Sequence, residues 1–538
     1  MALVVPLIRS TRQDPFRDWV PVWLKAIVGV MILVPIMLVN GAYTGSNIDI
    51  SGFLGVLSED INMAYYAASA GMAIGYLVTP KVRPVATVKT VVLGALLGQI
   101  ILSIICAETN YIEIITVCSF LIGFLKTFSL VEVFAVLMPI FSPSNTRNEF
   151  YAKYLPISLA CGQLSLVLTA ELAYIYRWQY MYYLMIMLLL IAIIAVLITM
   201  KYARKLDRIP LKDIDWISLF LVSVCYMCII YFTTYGKTKD WLTSKNIVTT
   251  IVLSIVTGWL FIRRQFSERP FLDLSLLKNR SSAVVYTLSF VLMFFVSFSI
   301  LVSSYTTSVL RLDNTHVNRL YFFMIPGFVV GGFLTYYFFI KEIRMAWLIF
   351  SGFACLTLSI TLIYFRVTPG GLYEDLYILM FLRGVGMLAL FAAFSIYGIA
   401  GLTAKQITYN GFFIVSARSA LAPAVGSSIL TNWLNVLQQK NIMLLSAGID
   451  TQNVTAMSQL AASVKAALAQ GRSMEEAQQL AINALYNQVQ IQAYIVSIKT
   501  IAGWMLIFGI ILLIGILLYF FQYSPVKLIK IGKDMMGE

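Results

Sequence analysis

Runs of about twenty apolar residues, each long enough to span the hydrocarbon core of a bilayer, recur along this chain from end to end. In lipid a segment must satisfy its own backbone polar groups, so runs of this kind fold as membrane-crossing helices. They fall near residues 26–48, 62–80, 87–107, 113–139, 154–176, 178–200, 214–234 and 246–264, then near 283–306, 319–340, 345–366, 374–401, 407–433 and 500–522, fourteen in all. Composition agrees. Of 538 residues, 60% are hydrophobic and 12% charged, against about a quarter charged in soluble domains. The formal net charge of +14 does not point to nucleic acid, because the basic residues sit in short loops between apolar runs, where they set orientation.

Lys and Arg collect in alternate loops: Lys81, Arg83 and Lys89; Arg147 and Lys153; Lys201, Arg204, Lys205, Arg208 and Lys212; Arg263, Arg264, Arg269, Lys278 and Arg280; Lys341 and Arg344; then Lys527, Lys530 and Lys533 after the last run. By the positive-inside rule these loops are cytoplasmic, and an even helix count puts both termini on that side. Residues 1–23 lack a signal peptide's short apolar core and small-residue cleavage site and read as a cytoplasmic interfacial segment. The multi-pass chain is expected in the cytoplasmic (inner) membrane. One loop departs from the short pattern: residues 434–497, extracytoplasmic in this topology, are rich in Gln and Ala. Apolar residues there recur at three and four, which predicts two amphipathic helices broken at Gly471-Arg472. They read equally as a self-packed cap and as a docking surface for a periplasmic adaptor.

The six cysteines all fall within apolar runs, Cys225 and Cys228 included, and read as packing residues; His316 stands alone in a loop. Neither a metal site nor a cofactor is expected. No phosphate-binding Walker sequence, nucleophile elbow or zinc motif occurs in the chain, so an enzyme is not expected either.

The run at 113–139 contains Lys126 and Glu132. A charge at the centre of a membrane helix costs about 2.5–3.5 kcal/mol on insertion scales, so such residues face a protein interior or a watery pathway. The two are six residues apart, about 240° around a helix, too far around for a pair within it; a partner for Glu132 lies on another helix. Arg383 and Arg418 are the other cations within spans, and Glu171 is expected to pair with Arg177 or face water.

Asp215-Trp216, Gly236, Trp241, Phe266 and Glu268-Arg-Pro-Phe-Leu-Asp-Leu-Ser-Leu-Leu-Lys-Asn-Arg280 resemble the fourteen-helix drug/proton antiporters of the major facilitator superfamily, EmrB/QacA type. Arg177-Trp178 is similar to that family's Trp-Arg-Trp turn, and the long Gln-rich segment before the last helix is similar to that of EmrB-like members. The resemblance implies an all-α major facilitator fold of 6 + 2 + 6 helices. Two halves, 24–200 and 282–538, would rock about a midplane site, with two additional helices and their linkers at 201–281 between them. Phe120-Leu-Ile-Gly123 and Phe381-Leu-Arg-Gly384 are a faint echo between the fourth helices of the halves.

The family's loop motif after helix two appears as Gly75-Tyr-Leu-Val-Thr-Pro-Lys81-Val-Arg83-Pro84, with Thr79 in place of the gating aspartate. Its helix-five motif reads Gly162-Gln163-Leu-Ser-Leu-Val167 and keeps only the first glycine. The resemblance therefore implies a gating loop with Gly75, Lys81 and Arg83, and proton coupling by Asp49, close to the family's helix-one acid, or by Glu132. Asp49 reads equally as a wet residue at a helix end. Asn40, Asn47, Ser119, Lys126, Gln163, Arg383 and Arg418 are the expected cavity residues. Ser119 stands where the family has an arginine, and Lys126, two turns on, shares its face. The implied function is proton-driven export of amphiphilic or toxic small molecules, with substrate, protons and bilayer as partners. The alternatives are a permease for one metabolite or lipid, and the membrane component of a tripartite assembly that docks an adaptor through 434–497.

Overall fold

The computed structural model describes residues 15–45, 47–83, 85–144, 146–202, 214–266, 271–449 and 453–522, the side chains at 39–45, 48, 404, 405, 455, 521 and 522 excepted. Most of those residues are helical. In the first half α1 (Val22–Gly45), α2 (Asn47–Leu54), α3 (Ser58–Val82), α4 (Val88–Glu108), α5 (Ile112–Phe141), α6 (Arg147–Ile175) and α7 (Tyr180–Thr199) follow one another. A hairpin of α8 (Trp216–Tyr235) and α9 (Lys245–Gln265) precedes the second half. There α10 (Arg280–Ser297), α11 (Ser299–Ser304), α12 (Asn314–Leu320), α13 (Met324–Ile340), α14 (Met345–Arg366) and α15 (Asp375–Tyr397) lead to α16 (Ala404–Val415), α17 (Leu421–Ala447), α18 (Val454–Ala469) and α19 (Met474–Gln522). Single π-turns at Tyr305–Val309 and Ser416–Ala420 interrupt the second half.

By length and composition, twelve helical stretches among the described residues can cross a membrane. Two more helices, α1 and α3, lie in the same bundle, with 24 and 25 residues. The lower apolarity of α3 has a packing cause. Its Ala64, Ala67, Ala68, Ser69, Ala70, Gly71, Ala73 and Gly75 are buried against protein, and small residues of this kind let membrane helices approach closely. A methyl group at Gly71 would overlap the Phe120 carbonyl of α5, and one at Gly123 the Ala68 carbonyl of α3. The second half repeats the arrangement: Gly327 of α13 lies on the Phe381 carbonyl of α15, and Gly384 on the Met324 carbonyl. The echo between the two Phe-Leu-x-Gly sequences is thus one helix crossing built twice.

The α8–α9 hairpin is closed by Arg264, which donates to Asp215 at 3.1 Å. Burial alone would raise the Asp215 carboxyl, but hydrogen bonds from Ser218 and Arg264 outweigh it and hold the pKa below the ordinary aspartate value. The Tyr226 hydroxyl of α8 bonds Ser416 of the second half at 2.8 Å, and Tyr235 donates to Asp60 of the first. The hairpin therefore lies across both halves. At the other end of the first half, Arg17 N donates to the Thr199 carbonyl and Lys201 N to that of Pro15, which ties the chain before α1 to the end of α7.

Gly471 adopts φ +80 between α18 and α19, a left-handed conformation open to glycine. The sequence suggests an amphipathic helix there, separate from the last span; instead both belong to α19, one helix of 49 residues. Its length of roughly 70 Å exceeds a bilayer core of about 30 Å, so its first half stands clear of the spanning part. Ala477, Ala481 and Ala493 are buried in this projection, and Asn441 of α17 donates to Ser497 of α19 at 2.9 Å.

Candidate transport pathway

The halves meet along two seams. On one, α6 faces α12 and α13: Gly332 lies against Pro156, Lys153 sits 5.9 Å over the Tyr336 ring, and Arg319 donates to Glu171 at 2.7 Å. On the other, α3 faces α16 and α17: Gly411 lies against the Tyr76 ring, and the Tyr66 hydroxyl is 2.7 Å from that of Ser427. Within each half the helices cross backbone to backbone through glycine. Between the halves the glycines meet side chains instead, Gly332 on Pro156 and Gly411 on the Tyr76 ring, beside the ion pair and the hydroxyls.

Glu132 is almost fully enclosed, and Arg83 Nε at the end of α3 donates to its Oε1 at 3.1 Å, with the arginine side chain 34% exposed. The partner of Glu132 is thus on the neighbouring helix. The motif containing Gly75, Lys81 and Arg83 is not a loop: α3 runs to Val82 and takes in Gly75 and Lys81, and Arg83 caps it. Gly75 is pressed against Thr127 of α5. Thr79, where the family has its aspartate, donates to the Gly75 carbonyl of its own helix at 2.8 Å.

Lys126 is buried in the middle of α5, 1% exposed, and Ser119 on the same face donates to the Ile115 carbonyl at 2.5 Å. Gln163 on α6 has a buried Oε1 without a hydrogen-bond partner. Arg383 is 3% exposed and donates through Nη2 to the Val296 carbonyl at 2.6 Å; that carbonyl lies where the first helix of the second half breaks between α10 and α11. Arg418, on the π-turn, places its guanidinium 4.3 Å over the Phe391 ring. Tyr76, Tyr151 and Tyr154 of the first half are close enough to act on its charge.

Asp49 and Asn47 lie apart from these residues, on the short helix α2 before the turn to α3. Asp49 is half-buried there, and Asn47 donates to Asn62 at 3.1 Å. The Asn40 side chain lies outside the described residues. Asp60 caps its helix, accepting from Leu57 N at 2.9 Å. Glu171 takes Arg319 of the other half, not Arg177. Sequence offers one signal for that pair, opposite charges near the ends of two apolar spans, but it does not say which spans are neighbours.

This helical bundle, with one glycine crossing built twice and charges buried beside its seams, has the fold of known membrane transporters. Solved structures share this fold. A POT-type peptide transporter superposes with a TM-score of 0.54 at 13% identity, covering 91% of this chain and 92% of that one. A POT family transporter bound to a thioalcohol-conjugated peptide superposes with a TM-score of 0.53 at 14% identity, covering 77% and 91%. In sequence, the chain is 22% identical over 301 residues to the colistin resistance protein EmrB of Acinetobacter baumannii, a match that spans 53% of this chain and about half, 54%, of that relative. No family model matches the sequence. The chain thus shares the fold of these transporters and is similar in sequence to EmrB over about half its length.

The Glu171–Arg319 pair gives a direct test of the seam. Arg319 and Glu171 are 54% and 27% exposed, so the pair contributes at most about 1 kcal/mol. Glu171→Gln is expected to change transport only a few-fold while raising the labelling of a cysteine at buried Thr169 by a membrane-impermeant maleimide. The charge-exchanged double variant, Glu171→Arg with Arg319→Glu, should return labelling to its original rate. Equal labelling in all three proteins would mean that the pair does not hold this seam.

Proposed function

We propose that this chain exports amphiphilic small molecules from the cytoplasm by proton antiport with alternating access. In this reading fourteen helices cross the cytoplasmic membrane, both termini are cytoplasmic, and residues 434–497 face outward. The observation that carries it is the contrast between crossings within each half, where glycine lies on backbone, and contacts between halves, which run through side chains; that contrast favours rigid halves rocking about a seam. The relationship to a colistin resistance protein supports export of a toxic compound.

Coupling needs an acid whose proton affinity changes as the pathway changes sides. Glu132 fits, because it is an enclosed carboxylate whose partner Arg83 sits at the end of the neighbouring helix, where opening would separate the two. Asp49, half-buried at the opposite end of the first half, is the other candidate. The experiment is dye efflux from proteoliposomes containing the purified protein, with and without an imposed proton gradient. Gradient-dependent efflux is expected, and flux that persists unchanged after the gradient is collapsed would remove proton coupling from the proposal.

A second reading concerns assembly. The outward projection exposes Met443, Leu444 and Val454 at 68%, 62% and 82%, which suits docking of an adaptor protein by a transporter of this kind.

A further inference from the structure

We infer that the groove between α14 and α19 is a binding site for an anionic phospholipid, with the phosphate on Lys499 and an acyl chain against Gly503, Trp504 and Ile507. The inference rests on the membrane-spanning fold and is independent of what the protein exports. The two helices touch at Gly509, where a β-carbon would lie 2.7 Å from the Thr357 hydroxyl. Earlier along α19 the packing opens. A β-carbon at Gly503 would meet only the Tyr364 ring, at 3.6 Å, an ordinary contact. There a groove of about 560 Å³ is lined by Tyr364 and Phe365 of α14 and by Lys499, Gly503, Trp504 and Ile507 of α19. That volume falls among those of small-molecule sites, about 300–1,000 Å³.

The groove lies at the edge of the bilayer core. Composition along α19 changes from Gln and Ala to apolar residues near Thr500, so Lys499 stands at the boundary and the rest of the groove just inside it. Trp504, Phe365 and Ile507 are exposed on the surface of the bundle. Tyr and Trp at this depth belong to the aromatic belt that sits among lipid head groups. A lysine there lays its stem along apolar surface and extends its ammonium to the level of the phosphates.

Charge selects the lipid. Arg366, next in the chain to Phe365, donates to Asp375 at 2.7 Å, and the two neutralise one another. Lys499 has no ion pair among the described residues and is left as the unmatched charge beside the groove. A phosphate accepts a charge-assisted hydrogen bond from an ammonium. A zwitterionic head group brings a cation of its own, which this lysine repels, and an anionic head group does not. One lysine near the membrane surface favours anionic lipid by about fivefold.

The test uses the full-length protein in vesicles of dioleoylphosphatidylcholine, with a rising fraction replaced by dibrominated phosphatidylglycerol or dibrominated phosphatidylcholine. Bromine quenches tryptophan emission on contact, and the difference made by Trp504→Phe in each background isolates the signal of Trp504. Phosphatidylglycerol is expected to reach half-maximal quenching of Trp504 at about one-fifth of the fraction that phosphatidylcholine needs. Lys499→Gln should bring the two curves together, and Lys499→Arg should keep them apart. Gly503→Leu, which fills the groove and leaves the charge in place, should also bring them together. Lys245→Gln removes an exposed charge at the start of α9 and should change nothing. Size-exclusion profiles identify folded variants, and the Lys499 variants decide the proposal if Gly503→Leu does not assemble. Coincident curves in the unaltered protein would overturn the site, as would a preference that survives Lys499→Gln. A preference that survives Gly503→Leu would reduce it to a surface charge without a groove, and one lost equally in Lys245→Gln to a general surface potential; both refute a site.

Discussion

Replacing Glu132 with glutamine is expected to abolish gradient-driven efflux while leaving most of the protein folded. The carboxylate is enclosed and bound by Arg83, whose side chain is 34% exposed. Breaking a fully buried ion pair costs about 3–5 kcal/mol, because an uncompensated charge stays behind. Here the arginine can turn toward water and the glutamine carbonyl still accepts a hydrogen bond, so the loss of stability should be smaller, roughly 1–2 kcal/mol. Transport is affected differently. A neutral amide cannot exchange a proton, so flux of a loaded dye should lose its dependence on the imposed gradient, by about tenfold or more, while exchange down the dye's own gradient continues. Arg83→Gln separates two roles for the pair. A gate alone would lose closure in both variants and leak in both. A proton carrier would keep its dependence on the imposed gradient in Arg83→Gln and lose it in Glu132→Gln. Coupling that survives Glu132→Gln and disappears in Asp49→Asn would transfer the role to Asp49.

The spans are legible in sequence because each is a local property: about twenty apolar residues, a length and a pair of ends. The helix at 113–139 with its two charges is an example, and α5 is found at Ile112–Phe141. Pairings across the bundle are not local. Arg83 and Glu132 are 49 residues apart and Glu171 and Arg319 are 148 apart, and helical periodicity says which face a residue occupies without saying which helix that face meets. Sequence therefore points to Arg177, the nearest candidate, or to water as the partner of Glu171, and distant Arg319 takes that place. The continuity of α19 was hidden for another reason. Composition changes from Gln and Ala to apolar residues near Thr500, which suggests two elements, yet all these residue types favour helix and no proline intervenes. Hydropathy reports the change of solvent, and the backbone does not respond to it. Asp49 shows the limit of carrying a motif over by position: near the expected place in sequence, it stands on the separate short helix α2.

Gly123→Leu is expected to eliminate most folded protein, and Gly123→Ala to destabilise it by about 3 kcal/mol, the upper part of the range for overpacking. Any β-carbon at this position overlaps the carbonyl oxygen of Ala68, a backbone atom that no rotamer change can move aside. Relief requires α3 and α5 to separate, which also disturbs Gly71 on Phe120 and Gly75 on Thr127. Gly384→Leu should behave alike in the second half, where the overlap is with the Met324 carbonyl. Gly162 provides the contrast. It is the glycine retained from the helix-five antiporter motif, and yet nothing lies within 4 Å of where its β-carbon would be. Gly162→Ala should therefore be neutral, or stabilising by up to about 1 kcal/mol through the helix preference of alanine. Size-exclusion profiles and thermal melting in detergent measure all four variants, and an unchanged melting temperature for Gly123→Leu would refute the close crossing. The consequence reaches the site, since Lys126 lies three residues beyond Gly123 on α5 and Arg383 directly precedes Gly384 on α15. Each glycine fixes how deep its helix sits against a neighbour, and so where a buried cation is held. A milder opening of either crossing, in a variant that still folds, should weaken substrate binding before it affects assembly.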